Sequence, residues 1–123
     1  MGYPAINTIV YVGTARLPEL RVGPVTDAVI ELSVDPAAGR IVAVATNLRL
    51  PALDQLLWEL LVGADVSHAL DSAVLELEVR YCSPLTPVVI EAVREGLGRA
   101  RSDAVRPRSS RTRITPERAA VVG

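Results

Sequence analysis

The stretch from Asp27 to Thr46 constrains the fold more than any other part of the chain. Ala28, Ile30, Leu32 and Val34 alternate with Asp27, Glu31 and Ser33. Alternation at period two marks a strand with one buried face. Asp35-Pro36-Ala37-Ala38-Gly39 follows, a turn sequence in which Gly39 is free to take positive φ. Arg40 to Thr46 (RIVAVAT) is the return strand. Two strands joined by so short a turn pair antiparallel. An earlier run, Asn7 to Gly13 (NTIVYVG), reads as a third strand ended by its glycine. Arg16 to Thr26, with Pro18, Gly23 and Pro24, reads as a loop.

A sheet with one apolar face needs a cover, and the rest of the sequence supplies helices. Pro51 suits a first helical position. Leu53, Leu56, Leu57, Leu60 and Leu61 then recur at the helical spacing of one face, and Gly63 ends the helix. Ser67 is the expected N-cap of a second helix, with Leu70, Ala73, Val74, Leu77 and Tyr81 as its apolar stripe. Ser83-Pro84 or Thr86-Pro87 opens a last helix with Leu85, Val88, Val89, Ala92, Val93 and Leu97 inward. Strands first and helices after mean an α+β domain: a three-stranded antiparallel sheet followed by about three helices packed on one face.

The 123 residues fit one domain, and 50% are apolar, enough for a core. Charge divides the chain. Residues 1–98 hold six arginines against twelve acids, and residues 99–123 hold seven against two. Composition also changes near Ser102, so residues 1–101 are read as the domain and 102–123 as an Arg-, Pro- and Ser-rich tail. The tail lacks the interleaved aromatics of a nucleic-acid-binding segment and follows an acidic body, so it reads as a solvated extension. No apolar run is long enough to span a membrane, no export signal is visible, and the cytoplasm is the expected compartment.

The chain has no Lys, one His and one Cys. Schiff-base and Walker-lysine chemistry are thereby excluded, and one cysteine allows no disulfide within the chain. Cys82, in Tyr81-Cys82-Ser83-Pro84, reads either as a small buried hydrophobe or as a thiolate at a helix N-terminus. His68 has no partner nearby and reads as a surface residue. Trp58 lies off the leucine stripe, as an exposed partner anchor or as a widening of the buried face.

Several stretches together resemble domain-of-unknown-function family 3870. They are Tyr11-Val12-Gly13-Thr14-Ala15-Arg16-Leu17-Pro18, the Asp35-Pro36 to Gly39 turn, Leu61-Val62-Gly63, and Arg80-Tyr81-Cys82-Ser83 before a long amphipathic helix. That family usually has His-Gly where this chain has Cys82-Ser83, and it implies no activity. More distantly, the layout resembles iron–sulfur cluster scaffold proteins of the IscU/NifU type. Of the scaffold's three cysteines and one aspartate, only Asp27 and Cys82 have counterparts. The first cysteine position is Val25, and the second falls at 47–50, where there is none. A cluster needs about four ligands, mostly thiolates, so the resemblance implies the fold without the cluster.

The expected function is therefore a non-catalytic binding or assembly module, with itself or another protein as partner and no cofactor. One rival is a metal-binding or thiol-dependent protein using Cys82 and Asp27, with zinc or another divalent ion completed by His68 or a second chain. The other rival is nucleic-acid binding through the tail. If the scaffold layout holds, residues 25–27, 47–50 and 81–83 meet. Asp27, Arg49, Cys82 and Ser83 then line one pocket, with Arg49 neutralising Asp27.

Overall fold

The computed structural model describes residues 7–18 and 26–104. Val25 and the tail from residue 105 onward lie outside the described residues.

The order of elements is β1 (Ile9–Arg16), β2 (Asp27–Asp35), β3 (Arg40–Thr46), α1 (Pro51–Leu61), α2 (Ala69–Arg80) and α3 (Thr86–Ala104). The strands form one antiparallel sheet in the order β1-β2-β3, so the fold is α+β. The β2–β3 hairpin forms where the alternation places it. The Gly39 nitrogen donates to the Asp35 carbonyl at 2.8 Å, and the Ala37 nitrogen to Asp35 Oδ1 at 3.0 Å. Gly39 has φ 68°, the left-handed value that closes this turn.

Ala28, Ile30, Leu32 and Val34 of β2 are buried, with Ile41 of β3 beside them. The helices cover this side. Leu53, Leu56, Leu57 and Leu61 of α1, Ala69, Ala73 and Leu77 of α2, and Val89, Ala92, Val93 and Leu97 of α3 share one core with the strands. A bulge interrupts β3: Val34 faces Ile41 but Ser33 faces Ala43, so Val42 is the extra residue and stands exposed.

Three local expectations need correction. β1 does not end at Gly13 but runs on to Arg16, and Gly13 is buried where α3 crosses the strand. A Cβ on Gly13 would lie 2.5 Å from the Gly96 nitrogen and collide with the Ala92 carbonyl. The glycine is there for close approach, not for a turn. Ser67 is not the cap of α2. That position is His68, which makes no side-chain capping bond, while Asp65 Oδ1 accepts from the Ser67 nitrogen at 2.8 Å and holds the turn before the helix. α3 starts at Thr86-Pro87, the second of the two sequence alternatives, and continues through Ala104.

α3 runs antiparallel to β1. Thr14 meets Glu95 and Tyr11 meets Asp103, so later helix residues lie against earlier strand residues. β1 is an edge strand, and its Thr14 nitrogen donates to Glu95 Oε1 at 2.6 Å. The carboxylate satisfies an edge N–H that would otherwise invite another strand. Among the described residues no helix is long and apolar enough to cross a membrane.

Candidate functional site

The link between α2 and α3 is shaped by Ser83 and Thr86. Ser83 Oγ accepts from the Leu85 nitrogen at 3.0 Å, and the Ser83 carbonyl accepts from the Thr86 nitrogen at 3.1 Å. The Thr86 hydroxyl, nearly buried, donates to the Tyr81 carbonyl. Serine and threonine at these places satisfy backbone groups that the helix ends leave open.

This link holds Cys82 at the surface. Its sulfur lies 3.9 Å from the Val79 carbonyl, a weak S–H donor contact back to the last turn of α2. Cys82 and Ser83 line an open groove of about 490 Å³ with Glu78, Tyr81, Thr86, Pro87, Ile90, Glu91 and Arg94. Glu91 and Arg94 are groove residues that sequence reasoning missed. Their offset of three on α3 is the only signal that could have paired them with this site.

Asp27 and Arg49 do not line this groove. The reason lies in the strand. Alternation buries Ala28 and sends Asp27 to the other face of the sheet, away from the helices. Cys82 belongs to the helical layer. What meets Asp27 is Asn47. Asn47 Nδ2 donates to the Asp27 carbonyl at 3.0 Å, and Asn47 Oδ1 accepts from the Val29 nitrogen at 2.9 Å. Asp27 and Asn47 are thus brought together at one end of the sheet, and Cys82 is not part of that contact. Among the described residues Arg49 makes no ion pair with Asp27. Its backbone has φ 57°, which turns the chain between β3 and α1.

His68 is exposed at the start of α2. Asp65 beside it is held below the usual carboxylate range, first by the backbone N–H of Ser67, then with help from His68 and Arg40. Glu95 is also held low, chiefly by the Thr14 backbone N–H and then by Arg99 at 3.0 Å. Both carboxylates work as acceptors for backbone groups, a structural use of charge. Among the described residues, no group of three or more His, Cys, Asp or Glu side chains could hold a metal ion.

Apolar side chains stand out at the surface. Trp58 is 49% exposed on α1. Leu75 and Val79, four apart on α2, are 60% and 67% exposed. They form one stripe along the helix, and Cys82 continues it into the groove. Comparison of the chain with family models, with curated proteins and with solved structures finds no match.

Proposed function

We propose that the chain is a non-catalytic binding module that works by self-association through α2. The observation that supports this reading is the Leu75–Val79 stripe, with its two apolar side chains at 60% and 67% exposure and the Cys82 groove beside them. Leucine and valine this exposed to water gain by being covered, at about 25 cal/mol per Å² of apolar surface removed. The α+β frame, read as resembling family 3870, carries this surface on α2. Trp58 is a second exposed anchor on α1, of the residue type enriched at interface hot spots.

The native thiol reports on the proposed surface. As the 123-residue chain is concentrated, alkylation of Cys82 is expected to slow, because association covers the Val79–Cys82 end of the stripe. In the Leu75→Ser, Val79→Ser double variant the slowing should vanish. A wild-type rate that ignores protein concentration would count against self-association at this surface.

The exposure of Cys82 favours one other reading, a thiol-dependent protein that uses this cysteine without Asp27. Under that reading, Cys82→Ser abolishes whatever binding or activity the chain shows. Under the surface reading, the same variant associates as the wild type does.

A further inference from the structure

The edge of β3 keeps backbone groups that β2 does not use. The Asn47 nitrogen donates inward to the Val29 carbonyl at 3.3 Å. In the regular ladder beside it, Ala45 and Ala43 therefore also turn their N–H and C=O to β2. Val44 and Thr46 alternate with them and turn theirs outward. No described residue hydrogen-bonds these outward groups, whereas on the opposite edge Glu95 takes the Thr14 N–H. The open stretch is bounded by Ile41, whose nitrogen donates to the Ala64 carbonyl at 3.0 Å and whose carbonyl accepts from the Gly63 nitrogen at 2.7 Å.

Trp58 stands beside this stretch. Asp54 Oδ1 accepts from the Thr46 hydroxyl at 2.9 Å, and Trp58 lies one turn further along the same flank of α1. Glu59, the next residue round, meets Arg80 of α2 at 3.5 Å, so α2 lies on the other flank. α1 starts near Thr46 and is followed by Gly63 at Ile41, so it runs antiparallel to β3. Four helix residues rise about 6 Å and two strand residues about 7 Å, which sets Trp58 near the level of Val44. The edge is thus flanked by a carboxylate at Thr46 and a half-exposed indole at Val44.

A row of open backbone donors and acceptors is matched by one kind of occupant, an extended chain. A second copy of β3 fits badly. The two-fold register that pairs Val44 with Thr46 of a second copy sets Arg49 of that copy opposite Ile41, where Gly63 and Ala64 already lie, and beside Arg40. A short segment of another protein meets no such obstacle. Opposite residues of an antiparallel pair share a face. The residue opposite Thr46 therefore reaches Asp54, and the residue two further on, opposite Val44, reaches Trp58. Charge complementarity makes the first basic, and the indole makes the second bulky and apolar.

We propose that the edge of β3 takes an extended segment of another protein as a fourth, antiparallel strand, held by the outward backbone groups of Val44 and Thr46. The segment carries a basic residue at Asp54 and, two residues later, an aliphatic one against Trp58. This surface is separate from the Leu75–Val79 stripe of α2.

Trp58 is the only tryptophan of the chain, so its emission reads the site. With the 123-residue chain held dilute, the peptide acetyl-Thr-Arg-Thr-Ile-Thr-amide should shift that emission to the blue and saturate. Methylating the Ile nitrogen, whose N–H meets the Val44 carbonyl, should weaken binding about tenfold. Methylating the central Thr nitrogen, which points away from β3, should cost less. Replacing the peptide's Arg by Glu should also weaken binding, and Leu75→Ser, Val79→Ser in the protein should leave it unchanged. No saturable shift up to millimolar peptide overturns the proposal. Equal loss from the two methylations, which would mean contact with the indole alone, or equal affinity for the Arg and Glu peptides, overturns it as well. So does a blue shift on concentrating the Leu75→Ser, Val79→Ser chain without peptide, which would assign the edge to a second copy.

Discussion

Two glycines decide how closely α3 lies on the sheet. Gly13 and Gly96 face each other, and a Cβ on Gly96 would lie 3.1 Å from Leu32 Cδ1. At Gly13 the added carbon meets helix backbone, which has no rotamer to yield. Gly13→Ala should therefore destabilise by about 3 kcal/mol, the upper end for overpacking, read as a lower urea midpoint. Gly98 offers the control, since a Cβ there meets nothing within 4 Å, and Gly98→Ala should leave the midpoint unchanged or raise it. Near these glycines, Glu95 ties α3 to the edge of β1. Its carboxyl is held low in the folded state, so its stabilisation is present above the ordinary Glu value of about 4.5 and is lost as pH falls below that. Below that pH the wild type should lose stability more steeply than Glu95→Gln. Parallel acid-unfolding curves would contradict this account of the Thr14–Glu95 bond.

The hairpin was fully legible at the scale of elements because three independent signals agreed there. They were the period-two alternation of β2, the Asp-Pro…Gly turn and the β-branched return strand. α1 was equally plain, since Pro51 opens it and Gly63, at φ 92°, follows its end. The failures came where one residue type serves two purposes. Glycine usually punctuates a strand, but the role of Gly13 is contact with Ala92 and Gly96 on α3, which no local pattern contains. Ser67 carries the cap residue type, yet Asp65 two residues earlier already holds the Ser67 nitrogen, and the helix starts later. The inward face of β2 carries the core. Leu32 is fully buried and packs towards α3 at Gly96, so Leu32→Ala should cost about 3 kcal/mol by lost burial and a residual cavity. A change below 1 kcal/mol in chemical unfolding would show that the sheet and α3 are not joined there.

Over the whole molecule, the architecture could be read from the sequence but the candidate site could not. The three-stranded antiparallel sheet and its helices follow from periodicity together with the turn and helix-end residues. The expected meeting of Asp27, Arg49 and Cys82 needed a further fact, namely which face of the sheet each side chain takes. Alternation itself held that fact: Ala28 points inward, so Asp27 points away from the helices. Leu75 and Val79 lie outside the buried stripe of α2, so helical periodicity does not single them out. The described residues thus have two faces, with the exposed Leu75–Val79 stripe on the helical side and the outward side chains of β2 on the other. Light scattering of the full chain across a wide concentration range tests the central reading most directly. The expected result is a mass that rises above the 13.1 kDa monomer with concentration, and that returns to monomer in the Leu75→Ser, Val79→Ser variant, since losing two interface anchors weakens association more than tenfold. A wild-type mass fixed at the monomer value throughout, or an assembly indifferent to those two substitutions, would contradict it.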